Sequence, residues 1–115
     1  MVDLETVHKL ALSLPDTDEH DHWGRPSYRV KKRIFLTLWP SEKRAVVKLS
    51  PVDQSVFCKY NNTIFYPVKG AWGKRGWTCI ELKRVRKSMF EDALNLSWQE
   101  TAPKTAKSKS ISPDT

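Results

Sequence analysis

Two joints, three and five residues long, constrain this chain more than any other feature of its sequence. They separate three runs with strand character: Ser27-Tyr28-Arg29-Val30, Ile34-Phe35-Leu36-Thr37-Leu38-Trp39 and Ala45-Val46-Val47-Lys48-Leu49. The joints themselves are Lys31-Lys32-Arg33 and Pro40-Ser41-Glu42-Lys43-Arg44. Parallel neighbours need a crossover of about a dozen residues, so links this short force antiparallel hairpins and a meander. On the second run, alternation predicts Ile34, Leu36 and Leu38 on one face and Phe35, Thr37 and Trp39 on the other. The latter face is too apolar to be left in water, which favours a partner such as a second copy of the chain.

Helical spacing flanks the meander. Asp3 is placed to cap a helix whose Leu4, Val7, Leu10, Ala11 and Leu14 share one side, and Pro15 stops it. Asp16 to His22 then reads as an acidic, structureless loop. Ser50-Pro51-Val52-Asp53 opens a second helix, with a serine cap, proline in the first turn and an acid to answer the cap. That helix runs to about Tyr60 and breaks at Asn61-Asn62. Ile64 to Val68 is a short extended segment in which Pro67 demands an edge position. Trp77 to Lys83 is the last strand, and Arg86 to Glu100 a third helix with Phe90, Ala93, Leu94 and Trp98 on one side.

The resulting order is α-β-β-β-α-β-β-α, an α+β two-layer fold with helices packed on an antiparallel sheet. At 115 residues there is room for one core, assigned here to residues 1–101. Residues 102–115 are mostly Lys, Ser, Thr and Pro, with little to bury, and are predicted to be disordered.

Within this frame, Gly70-Ala71-Trp72-Gly73-Lys74-Arg75-Gly76-Trp77 stands out. It holds three of the four glycines and two of the five tryptophans. A segment so rich in glycine can take backbone conformations closed to other residues, so it reads as a shaped loop with cations at its tip. Such a loop is more often used than merely tolerated.

Charge is distributed unevenly. Residues 1–22 carry six acids and one lysine, whereas residues 23–101 carry sixteen Lys/Arg and six acids, a net +10. The folded part is the basic part, and its expected partner is acidic. Lys31, Lys32 and Arg33 at one tip and Lys74 and Arg75 at the other are candidate phosphate contacts, with Arg25 and Arg29 in support. Lys43-Arg44 and the run Lys83 to Lys87 extend the basic surface. Trp72 and Trp77 are candidates for stacking on an unpaired base. A solvated turn and a core-packed tryptophan explain each element separately; only the ensemble points to nucleic acid. A third reading makes Trp72 and Trp77 the walls of a small-ligand pocket, with Lys74, Arg75 or His22 binding an anion.

Other chemistries find less support. His20-Asp21-His22 beside Asp16, Asp18 and Glu19 has metal-ligand residue types, but only His8 remains elsewhere to complete a site. The stretch is read as an acidic loop in which His22 fixes the lead-in to the first strand, and no metal or cofactor is expected. There is no nucleophile elbow, and the Gly-rich segment precedes a strand, so it lacks a helix N-terminus for a phosphate. No residue nominates itself as base or nucleophile, and the chain is read as a non-enzyme. Cys58 and Cys79 form no CxxC and are expected to be free thiols. No apolar run approaches the roughly 18 residues of a membrane span, and no signal peptide is visible, so a cytoplasmic location is expected.

Several motifs resemble the MmcQ/YjbR family: His22-Trp23-Gly24-Arg25-Pro26-Ser27, Leu38-Trp39-Pro40, Lys48-Leu49-Ser50-Pro51 and, above all, Pro67-Val68-Lys69-Gly70-Ala71-Trp72-Gly73-Lys74-Arg75-Gly76-Trp77-Thr78. The likeness runs from Leu10 to about Pro103 in the family's order. It implies an α+β fold similar to CyaY and to the type III secretion chaperones. It also implies DNA binding of a double-wing kind, in which two hairpins grip a duplex. The family offers no catalytic residues to carry over. A chaperone-like shape implies in addition a protein-interaction role as a homodimer. The double-wing role rests on an analogy of shape, whereas the homodimer is also motivated by the apolar second strand, Phe35 and Trp39 above all.

Overall fold

The computed structural model of the protein describes residues 1–22 and 24–103. The expected alternation of helices and strands is present, with two elements added. In chain order the elements are α1 (Leu4–Leu12), β1 (Thr17–His22), β2 (Arg25–Val30), β3 (Arg33–Trp39), a 3-10 turn (Pro40–Glu42), β4 (Arg44–Lys48), α2 (Pro51–Tyr60), β5 (Phe65–Pro67), α3 (Ala71–Lys74), β6 (Trp77–Glu81) and α4 (Lys87–Thr101). Among the described residues the strands form one antiparallel sheet in the order β1-β2-β3-β4-β6-β5. Pro67 lies on the edge strand β5, where a missing N–H costs no ladder bond.

The helix starts follow the sequence signals. Asp3 Oδ1 accepts the Thr6 N–H at 2.8 Å, and Ser50 Oγ accepts that of Asp53 at 3.1 Å. Each cap contributes about 1 kcal/mol by satisfying a donor that the first turn leaves unpaired.

The first added element corrects the reading of Asp16–His22 as a loop. Residues Thr17–His22 are a strand, paired with β2 from Thr17↔Val30 to His22↔Arg25. The stretch has no apolar alternation to announce it. Strand pairing, however, needs only backbone groups, and the outer edge of β2 offers a full row of them. Charge complements the pairing, since Arg29 Nε lies 3.0 Å from Asp18 Oδ1 on the neighbouring strand. The second added element, α3, is a single turn within the tryptophan-glycine stretch.

The three longer helices cover one face of the sheet. On α4 the buried residues Phe90, Ala93, Leu94, Ser97, Trp98 and Thr101 keep helical spacing. Trp98 Nε1 donates to the Pro15 carbonyl at 3.0 Å, which ties α4 to the α1–β1 link. His8 Nδ1 lies 2.9 Å from the Tyr28 hydroxyl and joins α1 to β2. Ala102, assigned to the tail by composition, is buried at the end of α4. The rest of the predicted tail, residues 104–115, and the Trp23 position lie outside the described residues.

One irregularity decides which side chains face which way. The β2–β3 register shifts between Tyr28↔Leu36 and Arg29↔Ile34, so Phe35 is an extra residue, a β-bulge. Strict alternation, expected above, would have placed Phe35 with Thr37 and Trp39 and Ile34 with Leu36. The bulge reverses this: Phe35 joins Leu36 and Leu38 in the buried core, and Ile34 goes with Thr37 and Trp39 to the opposite face. Phe35 is thereby withdrawn from the face on which a partner surface was expected, and Trp39 remains there.

The bulge also interrupts the β3–β4 ladder, whose pairing ends at Leu36↔Val47. Ser97 fills the gap. Its Oγ donates to the Phe35 carbonyl at 2.7 Å and accepts the Lys48 N–H at 3.0 Å. One buried hydroxyl thus replaces the missing rung between two strands.

Two stability predictions follow from these contacts. Ser97→Ala leaves a buried carbonyl and a nearby N–H without partners, and is expected to cost about 2 kcal/mol or more in urea unfolding. A loss below about 0.5 kcal/mol would show that the bridge is dispensable. Gly76→Ala should cost at least twice as much as Gly70→Ala. Both glycines have positive φ, 104° and 81°, but a Cβ at Gly76 meets the Leu49 carbonyl oxygen at 1.8 Å whereas Gly70 faces open space. Equal losses for the two variants would remove the close-approach argument.

Candidate functional site

The face of the sheet opposite the long helices carries a groove. Ile34, Thr37 and Trp39 of β3 and Val46 of β4 form its floor, and Val68 and the indoles of Trp72 and Trp77 close one side. Among the described residues, Arg25 is the only charged one in its lining. The groove encloses about 460 Å³.

The tryptophan wall is held by backbone contacts that only glycine permits. Gly73, in α3, sits so close to the Val68 carbonyl that a Cβ would be 1.9 Å from its oxygen. Gly76 approaches Leu49 equally closely and accepts the Leu49 N–H at 2.9 Å. From α2, Gln54 Nε2 donates to the Gly73 carbonyl at 3.0 Å and to Thr78 Oγ1 at 3.1 Å. So anchored, α3 places Trp72 edge-on to Trp77, with centroids 6.1 Å apart. Trp72 remains 58% exposed, so neither the buried-tryptophan reading nor a fully sequestered pocket describes it.

Beside this groove, and sharing Ile34, Trp72 and Trp77 with it, is a second cleft of about 330 Å³. Here Arg33 from the β2–β3 hairpin, Lys48 from the end of β4 and Arg75 after α3 come together. Three separate segments supply the three cations. Glu100 and Thr101 at the end of α4 complete the lining, and the buried Thr101 hydroxyl has no hydrogen-bond partner. None of the ion pairs among the described residues involves Arg33, Lys48 or Arg75.

The remaining sequence candidates are dispersed. Lys31 and Lys32 form the hairpin turn, both left-handed at φ 50° and 71°. Lys31 Nζ is 3.8 Å from Asp16, and Arg29 is bonded to Asp18, so the edge strand β1 and its lead-in partly neutralise this wing. Lys74 is exposed at the end of α3. The second wing is a helical turn rather than a hairpin. Arg25 lies at the Trp39 end of the groove, its guanidinium 3.9 Å from the Trp39 ring centroid. β3 spans seven residues, so Arg25 and Arg33 stand at opposite ends of the face, about 20 Å apart. The run ending at Lys87 is at the far end of α4, about 20 Å from Glu100.

Arg44 is also committed elsewhere. It is bonded to Glu81 at 3.0 Å and lies over the rings of Trp39 and Tyr66, while the Tyr66 hydroxyl donates to the same Glu81 carboxylate. Burial, then the bond to Glu81, pushes the Tyr66 phenol up to about 12. This network braces Trp39 from below. Cys58 and Cys79 are free, as expected, and burial pushes both thiols up, away from nucleophilic thiolate character. Among the described residues no three potential metal ligands stand together. β1 splits its acids, with Asp18 turned to Arg29 and Glu19 to His8. The expected role of the His22 side chain lies outside the described residues.

Sequence reasoning missed Lys48, Glu100 and Thr101, and took Trp39 only as part of a partner-binding face. A signal existed for Lys48: alternation along β4 puts Arg44, Val46 and Lys48 on the face that carries Thr37. Nothing local placed the end of α4 beside it.

No helix among the described residues is long and apolar enough to cross a membrane. No curated protein matches the chain. Among solved structures it is similar to Deinococcus radiodurans protein DR2400, described as a DUF419 domain. The TM-score is 0.75 at 16% identity, over 85% of this chain and 77% of that one. At that identity the likeness concerns the fold, and it agrees with the α+β architecture derived from the strand joints. The family model for YjbR matches residues 12–100, a span that includes the groove-lining residues of β2, β3, β4 and the tryptophan-glycine stretch. The chain belongs to the YjbR family.

Proposed function

We propose that the protein binds nucleic acid through the sugar–phosphate backbone at the Arg33–Lys48–Arg75 cleft, with Trp72 stacking on an unpaired base. The observation that carries this reading is the meeting of three cations, none of them in an ion pair among the described residues, beside an exposed indole. Cations neutralise phosphates and release their counterions, and an indole face accepts any base. The left-handed Lys31-Lys32 turn adds support. Asn-Gly is the usual occupant of such a turn, and each lysine there costs about 1–2 kcal/mol, a strain retained where the side chains are used.

The geometry favours an unpaired strand over a duplex. The cleft is small, about 330 Å³, with Glu100 in its lining, the second wing is a short helix, and the acids of β1 flank the first wing, where a duplex would need a broad positive surface. Specificity is expected to be low, because few groups in the cleft are placed to read base edges. A second copy of the chain is a weaker candidate for this face. Phe35 is withdrawn into the core, and Trp39 already carries Arg25 on its ring.

Anisotropy titrations of a labelled oligothymidylate against NaCl test the proposal. Three backbone contacts predict a log–log slope of about −2 for a single strand, at roughly 0.7 per contact. Arg33→Ala with Arg75→Ala should flatten the slope and weaken binding at least ~10-fold at low salt. Trp72→Ala should cost about fivefold with little change in slope. Absence of binding at low salt, or a double variant that binds as the parent does, would refute the reading. Tighter binding to duplex than to oligothymidylate would overturn its single-strand part.

A further inference from the structure

The apolar groove on the uncovered face is not accounted for by backbone binding at the neighbouring cleft. We infer that it is an adjoining second site, sharing Trp72 with that cleft, for a small planar aromatic molecule bearing one acidic group, an aryl carboxylate in kind, whose anion meets Arg25.

Shape and chemistry both point this way. A volume of about 460 Å³ suits one small molecule rather than a peptide or a nucleic-acid strand. Three indoles line it, Trp39 in the floor and Trp72 and Trp77 along one side, the latter two at an interplanar angle of 68°. Such an arrangement offers one ring face and one ring edge, to which a flat ring packs better than a flexible chain. The floor of Ile34 and Val46 provides no hydrogen-bond donor. Thr37 Oγ1 lies 3.3 Å from Ser27 Oγ, so it has a partner within the sheet without a ligand.

Arg25 supplies the charge preference. Among the described residues it takes part in no ion pair, unlike Arg29 and Arg44 on the same face. Its guanidinium is stacked 3.9 Å from the Trp39 centroid, which fixes the plane and leaves the N–H donors at its rim. A planar fork held at the end of an apolar trough complements a carboxylate carried on a ring. The single charge in the lining favours a monoanion over a nucleotide, whose several phosphate charges belong with the Arg33–Lys48–Arg75 cluster about 20 Å away along β3.

The test titrates the full chain with naphthoate and follows tryptophan emission, with a calorimetric titration for stoichiometry. Saturable binding of one naphthoate per chain is expected. The neutral isostere naphthylmethanol and the flexible octanoate should each bind about tenfold more weakly. Arg25→Gln should lose about tenfold in naphthoate affinity, and Arg25→Lys should recover part of it. Trp72→Ala, at an exposed position where folding is preserved, should lose about fivefold. No saturation below millimolar naphthoate, unchanged affinity in Arg25→Gln, or octanoate binding as tightly as naphthoate would each overturn the assignment. Oligothymidylate binding is read out through Arg33 and Arg75, so a failure of that interaction with naphthoate binding retained leaves this site standing.

Discussion

The extra residue in β3 is the constraint on which this structure turns. By opposing two residues to one, the bulge at Phe35 sends a phenyl ring into the core and an isoleucine to the far face. Without it, the uncovered face would present Phe35 and lose the aliphatic floor that Ile34 provides. The interruption it makes in the β3–β4 ladder is tolerable because Ser97 reaches down from α4 and bonds both orphaned groups. A bulge next to a binding surface is a recurring device for re-aiming side chains. Here the device and its repair lie 62 residues apart in sequence.

A second arrangement acts on charge. The acidic N-terminal stretch is not a separate tail set against a basic domain; as β1 it lies along β2 and takes up Arg29, while Asp16 meets Lys31. Glu81 takes up Arg44. These pairs, partly exposed, contribute on the order of 0.2–1 kcal/mol each to stability, so their larger effect is on the electrostatic surface. Among the described residues, Arg33, Lys48 and Arg75 beside the tryptophan wall stay outside such pairs. The excess of basic residues in the sequence thus resolves into a few positions rather than a general coat.

The tryptophan-glycine stretch works through proximity. Gly73 and Gly76 bring two backbone segments to the carbonyls of Val68 and Leu49, closer than any side chain allows. This, with the Gln54 amide, sets the height of α3 above the sheet and hence the separation of Trp72 from Trp39 across the groove. The Arg44–Glu81–Tyr66 network performs the same service on the other side. Two aromatic walls are therefore held by unlike means, one by backbone contact and one by a charged brace.

Much of this was legible in the sequence. The short joints required the antiparallel meander, Asp3 and Ser50 marked the helix starts, Pro67 marked an edge strand, and the glycines marked a specially shaped backbone segment. All of these act over a few residues, where covalent geometry and local hydrogen bonding decide the outcome. The strand at Thr17–His22, the reversal at Phe35, the rung supplied by Ser97, and the meeting of Arg33, Lys48 and Arg75 were left to tertiary structure. β1 is held by a neighbour's unpaired backbone edge, and the bulge by a helix more than sixty residues away in sequence. Such contacts depend on what the folded chain brings alongside, which no local pattern of residues records.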